Sequence, residues 1–161
     1  GYAMTGWRIG YGAAPGPLVR AMTKLQGQST TSACTISQWA AVAALEGPQD
    51  HLVSFRNAFV RRRDLVVERL NAIPGIVCPR PEGAFYVYPD IAGVIGRRTP
   101  EGVEIRSDED FVRALLAAKG VAVVHGAAFG LSPHFRISYA AADEVLGEAC
   151  DRIADFCSTL R

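Results

Sequence analysis

The sequence predicts an α/β chain: the end of one domain, a long linking helix, and a small α+β domain that follows it. Three patterns predict this order. A short apolar stretch at 8–14 precedes helical segments, an apolar stripe at helical spacing runs through 50–72, and strand-like segments alternate with helices after that. We therefore expect three parts, at 1–50, 51–74 and 75–161.

Composition excludes several classes of function. The chain has 161 residues, 49% of them apolar, and a formal net charge of +1. Mixed charges give no reason to expect nucleic acid as a partner, and no apolar run reaches the ~18 residues that a membrane span needs. The four cysteines lack Cys-x-x-Cys spacing. This predicts reduced, mostly buried thiols in a cytoplasmic protein, without a metal site.

The first 50 residues are predicted to form one strand and two helices. The apolar stretch from Arg8 to Ala14 indicates a strand of the larger domain, ended by Pro15-Gly16-Pro17. Helices are expected at 18–25 and 36–45, joined by a polar loop. Gly47-Pro48 ends the second helix.

One long helix is predicted from Asp50 to about Ala72, ended by Pro74-Gly75. Apolar residues recur along it at spacings of three and four residues, so one face of the helix is apolar. The arginine run 61–63 interrupts the pattern. We expect these arginines to form a solvated face, the alternative being contact with a partner subunit.

The remainder predicts a small sheet with two helices. Strands are expected at 83–88, 121–124 and 135–139, with loops at 92–105 and 125–133. Ser107 can cap a helix that has Asp110 at the reciprocal position of a capping box and buries Phe111, Leu115 and Leu116. The last helix is predicted to place one apolar face, 146–160, on the core.

Two arginines are candidates for anion binding. Arg8 lies two residues after Gly6 at the start of the apolar stretch, where its guanidinium needs either a phosphate or a structural carboxylate partner. Strand alternation places Arg136 on the face opposite Phe135 and Ile137. Arg136 is either an exposed charge on an edge strand or a residue that binds a carboxylate.

Four segments carry a resemblance to class I/II aminotransferases, the fold-type-I enzymes that use pyridoxal phosphate. Gly6, Arg8, Ile9 and Gly10 resemble the tail of that family's lysine motif. Three further segments resemble family motifs in the same order: Gly83-Ala-Phe-Tyr, Gly126-Ala-Ala-Phe-Gly130 and Arg136-Ile-Ser. The sequence is most similar to the aspartate aminotransferase branch.

This resemblance implies a function. Arg8 would bind the cofactor phosphate and Arg136 the α-carboxylate of the substrate, in a homodimer that transfers an amino group from an amino acid to a 2-oxo acid. The Schiff-base lysine would fall directly before Gly1. We therefore expect either the C-terminal portion of a longer protein or a chain interrupted at a modified lysine. No catalytic residue is expected among these 161, and the portion alone is expected to be inactive.

Some alternatives stay open. The same scaffold supports lyases and other transaminases, and it also serves as the pyridoxal-phosphate-binding sensor domain of transcription regulators. His125 stands where the family has proline, and we expect an ordinary loop histidine. The loop Gln28-Ser-Thr-Thr-Ser32 resembles a family loop near the dimer interface, and its hydroxyls either contact phosphate or form turns.

Overall fold

The computed structural model describes all residues, Gly1–Arg161. They divide into two compact units, Gly1–Arg56 and Asn57–Arg161. The division falls inside the long helix, which is continuous from Asp50 to Asn71. The domain boundaries expected near residues 50 and 74 stay a prediction.

The first unit is built from helices. After a short 3-10 turn at Thr5–Trp7 come α1 (Gly16–Gln28), α2 (Thr35–Glu46) and the start of α3 (Asp50–Asn71). All three helices were predicted, and α1 and α2 are longer than expected at both ends. Pro17 lies in the first turn of α1, where its missing N–H costs no hydrogen bond.

The strand predicted at Arg8–Ala14 is wrong, because these residues form no strand. Arg8 ends the 3-10 turn in the left-handed region, with φ of 51°. A strand requires a neighbouring strand to accept and donate its backbone hydrogen bonds, and residues 1–56 contain no other strand. The apolar composition alone therefore does not produce one here.

The first unit buries almost nothing. Ser37 is its one buried side chain, and its hydroxyl donates to the carbonyl oxygen of Trp7 over 2.8 Å. The large apolar side chains of α1 and α2 are exposed: Leu18, Val19, Met22, Leu25, Ile36, Trp39, Val42 and Leu45. These faces lack the apolar cover that stabilises a helix in water.

The second unit contains a three-stranded antiparallel sheet. Its strands are β1 (Tyr86–Val87), β2 (Val124–His125) and β3 (Phe135–Ser138), in the order β1-β3-β2. Tyr86 pairs with Ser138, and Val124 pairs with Arg136. β1 and β3 lie within their predicted strands and are shorter than expected. β2 overlaps its predicted strand, 121–124, only at Val124 and extends to His125, which was predicted as loop.

Two helices complete this unit, α4 (Asp108–Lys119) and α5 (Asp143–Thr159). One half of the predicted capping box at the start of α4 forms, since the Ser107 hydroxyl accepts from the Asp110 N–H over 3.2 Å, but the Asp110 carboxylate does not accept from the Ser107 N–H. The Asp110 carboxylate in turn accepts from the Arg106 N–H over 3.1 Å. Gly120 ends α4 at a φ of 66°, which a glycine adopts without strain.

The hydrophobic core lies entirely in the second unit, between Val66 and Leu160. Phe111 is at its centre, with ring centroids 5.3 Å from Phe135 and 5.5 Å from Phe156. Each large side chain buried there contributes ~1.5–3 kcal/mol to folding. Leu116, also expected in the core, is half exposed because it points away from the face of Phe111 and Leu115.

The arginine run on α3 is only partly solvated. Arg61 and Arg62 both donate to the carboxylate of Asp143, over 2.7 and 2.9 Å, and Arg63 donates to Asp64 over 2.8 Å. Arg61 is mostly exposed, but Arg62 and Arg63 are largely covered. The expected solvated face is therefore wrong for these two, because carboxylates replace the water around their charges.

Candidate functional site

Arg136 lies on β3, and its guanidinium contacts two aromatic rings. The guanidinium carbon is 4.1 Å from the ring centroid of Phe129 and 4.4 Å from that of Tyr86. Phe135, the preceding residue, is fully buried in the core. The alternation predicted for this strand thus places Arg136 on the sheet face that carries no core.

No carboxylate pairs with Arg136. The side chain is half-buried, and the chain offers its guanidinium no hydrogen-bond acceptor. A cation stacked on ring faces is stabilised by their negative potential, while its edge N–H groups stay free to donate. This arrangement suits a planar anion that approaches the edge of the guanidinium.

The rings that enclose Arg136 come from two of the motifs found in the sequence. Tyr86 belongs to β1, and Phe129 ends the 3-10 turn Gly126–Phe129. Neither side chain was predicted to contact a ligand. Strand alternation could have identified Tyr86, because it places Tyr86 on the sheet face opposite its neighbour Val87. Val87 is fully buried, so Tyr86 faces away from the core.

The loop that carries Phe129 is closed by short-range hydrogen bonds. The Gly126 N–H donates to the His134 carbonyl over 2.7 Å, and the Leu131 N–H donates to the Gly126 carbonyl over 3.2 Å. A Cβ at Gly126 would collide with the carbonyl oxygen of Leu131. The Tyr88 hydroxyl donates to the Gly126 carbonyl over 2.8 Å, so the loop is also tied to the end of β1.

The histidines have no catalytic arrangement. His125 is half-buried at the end of β2, where it pairs with Phe135. The His134 ring stacks on Tyr88 at 5.3 Å, and its Nδ1 is buried without a hydrogen-bond partner. His51 is exposed and packs edge-on against Phe55. No carboxylate orients any of these rings for proton transfer.

Arg8 lines a separate cavity within the first unit, of about 700 Å³. Thr30, Thr31 and Ser32 line the same cavity, so Arg8 and the end of the hydroxyl-rich loop 28–32 lie together. The guanidinium donates only to the Thr5 carbonyl, over 3.2 Å, and forms no ion pair. The alternative of a structural carboxylate partner within this chain is therefore not supported.

The cysteines are all free thiols. Burial raises the pKa of Cys78 to about 12 and those of Cys150 and Cys157 to about 11. Cys34 is exposed, and hydrogen bonds from the backbone of Ser37 and Ile36 lower its pKa. The chain contains no cluster of three or more side chains that could hold a metal ion. None of its helices has the length and apolar character of a membrane span.

Comparison with known proteins gives the family. The model of aminotransferases of class I and II matches residues 1–153, and the chain belongs to this family. An aspartate/prephenate aminotransferase of Cereibacter sphaeroides is 62% identical over 159 residues, which are 99% of this chain and 40% of the relative. An aspartate aminotransferase of Rhizobium meliloti is 55% identical over 99% of this chain and 39% of the relative. The chain thus spans about 40% of the length of these curated relatives.

Solved structures agree in fold. The crystal structure of the Rhizobium meliloti aspartate aminotransferase superposes with a TM-score of 0.91 at 54% identity, covering 99% of this chain and 40% of that one. The Thermus thermophilus aspartate aminotransferase with maleate gives 0.79 at 39% identity, covering 96% and 38%. The predicted α/β fold of fold-type-I enzymes is confirmed. These relatives do not favour the alternative of a regulator's sensor domain.

Proposed function

We propose that this chain is the part of a pyridoxal-phosphate-dependent aminotransferase that binds anionic groups of the cofactor and the substrate. The whole protein would transfer an amino group between an aspartate-like amino acid and a 2-oxo acid. The observation that carries this proposal is Arg136, a half-buried residue whose guanidinium contacts two aromatic rings and has no carboxylate partner. The names of the relatives from Cereibacter and Rhizobium support the same reaction class.

Arg136 would bind the α-carboxylate of the substrate. Its planar fork can donate two parallel hydrogen bonds to a carboxylate, which a lysine cannot do. The rings of Tyr86 and Phe129 contact the guanidinium at 4.4 and 4.1 Å, which stabilises its charge while its N–H groups remain free to donate. A charge-assisted contact of this kind contributes ~1.5–3 kcal/mol to binding.

Arg8 would bind the phosphate of the cofactor. The donor set fits a phosphate, since one unpaired guanidinium and the hydroxyl residues Thr30, Thr31 and Ser32 line one cavity. Pyridoxal phosphate, when bound, supplies the electron sink for the reaction at the substrate's α-carbon. The part of these residues is to retain and orient its phosphate.

The lysine that transfers protons would lie outside these 161 residues. Lys24 and Lys119 are the only lysines, and neither follows a serine. Lys119 also forms an ion pair with Asp155. We therefore expect a protein made of this chain alone to show neither amino transfer nor visible absorbance from covalently held cofactor.

The assembly would be a cytoplasmic homodimer. Support comes from the exposed apolar faces of α1 and α2, which need cover from further polypeptide or from a second subunit. Four free thiols are typical of a reducing compartment.

The test is an amino-transfer assay on a full-length protein that contains this chain. Aspartate and prephenate belong in it because the Cereibacter relative is named for both. We expect amino transfer from aspartate to a 2-oxo acid, with the 161-residue chain as the inactive control. A full-length protein that retains pyridoxal phosphate but transfers no amino group would contradict the proposal and favour a sensor domain.

A further inference from the structure

Asp108 is a carboxylate buried beside the loop that covers Arg136. Its side chain is 1% exposed, at the first residue of α4. Its Oδ2 accepts from the Ala127 N–H over 2.8 Å, and its Oδ1 accepts from the Ser132 hydroxyl over 3.0 Å. No arginine or lysine pairs with it. A buried charge in this position therefore depends on the loop's hydrogen bonds.

The carboxylate is ionised at neutral pH. Burial raises the pKa of Asp108, but hydrogen bonds from Ala127, Ser132 and the first N–H groups of its own helix outweigh burial and lower that pKa overall. The helix N-terminus also favours a negative charge. Both oxygens are thus strong acceptors, and the loop is held by charge-assisted bonds.

The two bonds bracket the residue that stacks on Arg136. Ala127 and Ser132 lie on either side of Phe129, whose ring is 4.1 Å from the guanidinium carbon. Phe129 is half exposed, and besides Arg136 its ring meets only that of Tyr88, edge-on at a centroid distance of 6.4 Å, so this sparse packing alone does not fix its position. Its place over Arg136 depends on where the backbone of the loop is held.

We propose that Asp108 is a positioning residue for the carboxylate site, because it holds the loop 126–132 so that Phe129 covers the guanidinium of Arg136. This inference rests on the proposed function of Arg136. When the loop is released, Phe129 leaves the guanidinium, water hydrates the exposed face, and the substrate carboxylate binds less well. The chemical step does not involve Asp108.

Two substitutions separate geometry from charge. Asp108→Ala removes both acceptors. Asp108→Asn can keep both bonds, because its Oδ1 can accept from the Ala127 N–H while its Nδ2 donates to the Ser132 hydroxyl oxygen. Glu109→Ala is the matched control, since Glu109 is the next residue, is exposed, and pairs only with Arg113.

The measurements are KM and kcat for aspartate and for a 2-oxo acid, and the Kd of maleate, in a full-length protein that contains this chain. We expect Asp108→Ala to raise both KM values and the maleate Kd roughly five- to tenfold, about the effect of one cation–π contact. We expect kcat to stay within about twofold, as it does when only ground-state binding is lost. Asp108→Asn and Glu109→Ala should stay near wild type.

Hydrogen exchange at the Ala127 amide gives a readout independent of turnover. Its protection should fall in Asp108→Ala and persist in Asp108→Asn. Lost protection at Ala127 with unchanged KM and maleate Kd would overturn the inference. If Asp108→Ala does not fold, Ser132→Ala removes one of the two bonds and should raise KM by a smaller factor, and no change there would also overturn it.

The two proposals can fail separately. A wild-type protein that binds maleate but transfers no amino group contradicts the proposed function, while a weaker maleate Kd in Asp108→Ala still supports the role of Asp108. A wild-type protein that neither binds maleate nor transfers an amino group overturns both.

Discussion

The guanidinium of Arg136 stacks on the ring of Phe129 at 4.1 Å, well within the ~6 Å reach of a cation–π interaction. Arg136 lies on β3, and Phe129 lies seven positions earlier, at the end of the turn that precedes this strand. The contact is therefore local in sequence. The ring of Tyr86, on β1, lies 4.4 Å from the same guanidinium carbon. The result is a cation that contacts two aromatic rings and has no carboxylate partner.

Arg8→Ala should weaken retention of pyridoxal phosphate in a full-length protein. Its guanidinium is the only charged donor in the cavity lined by Thr30, Thr31 and Ser32. Loss of one charge-assisted contact lowers affinity roughly ten- to hundredfold. Cofactor remaining after exhaustive dialysis measures this, and Arg20→Ala on exposed α1 is the control. If Arg8→Ala and the wild type retained the same amount of pyridoxal phosphate, Arg8 would not be the residue that binds its phosphate.

The helices were predictable because their determinants are local. The Ser107 hydroxyl caps the start of α4 by accepting from the Asp110 N–H, and Gly120 ends the helix directly after Lys119. The strand predicted at 8–14 does not form, because apolar composition alone does not make a strand and residues 1–56 contain no partner strand for it.

The site was predictable only in part. Motifs identified Arg136, but Phe129 lies in a turn whose conformation follows from contacts distant in sequence. In the sequence, Asp108 cannot be distinguished from the other acidic residues in the first turn of α4. Its burial and its bonds to Ala127 and Ser132 emerge only in the folded chain.

The thiols should react unequally with iodoacetamide in the folded 161-residue chain at pH 8. Cys34 is exposed and its pKa is lowered, so it should react rapidly, while burial holds Cys78, Cys150 and Cys157 as neutral thiols. Mass spectrometry of the alkylated chain identifies each site, and all four should react in urea. Equal rates at all four sites in the folded chain would contradict this account.

The same burial predicts alkaline sensitivity. Folded pKa values of about 11 to 12 lie above the ordinary value of 9.0, so these thiols stabilise the fold fully below pH 9 and lose that contribution as pH rises toward 11 to 12.

Acid should weaken the link between α3 and α5. Hydrogen bonds from Arg61 and then Arg62 lower the pKa of Asp143 from 3.8 to about 2. A lowered folded pKa contributes stability above pH 3.8, and this is lost as pH falls through about 2. Urea unfolding midpoints between pH 5 and 2 measure it in the 161-residue chain. Asp143→Asn should flatten the decline in that window, and an unchanged decline would show that other carboxylates cause it.

Hydrogen exchange on the monomeric 161-residue chain tests the division into domains that we propose. The buried apolar side chains all lie between Val66 and Leu160, whereas the first unit buries only Ser37. We expect strong protection at Phe135–Ser138 and in α4 and α5, and weak protection at 8–14. Protection at 8–14 equal to that of β3 would mean that the first segment folds without further cover.

The most direct test of the central claim is the KM for aspartate in Arg136→Lys and Arg136→Ala variants of a full-length protein that contains this chain. Lysine keeps the charge but cannot form the paired hydrogen bonds, so both variants should raise KM roughly ten- to hundredfold. Arg113→Ala, an exposed arginine of α4, is the control. Pyridoxal phosphate content should stay unchanged in both Arg136 variants. A KM for aspartate that stays at the wild-type value in Arg136→Ala would contradict the assignment of Arg136 as the carboxylate grip.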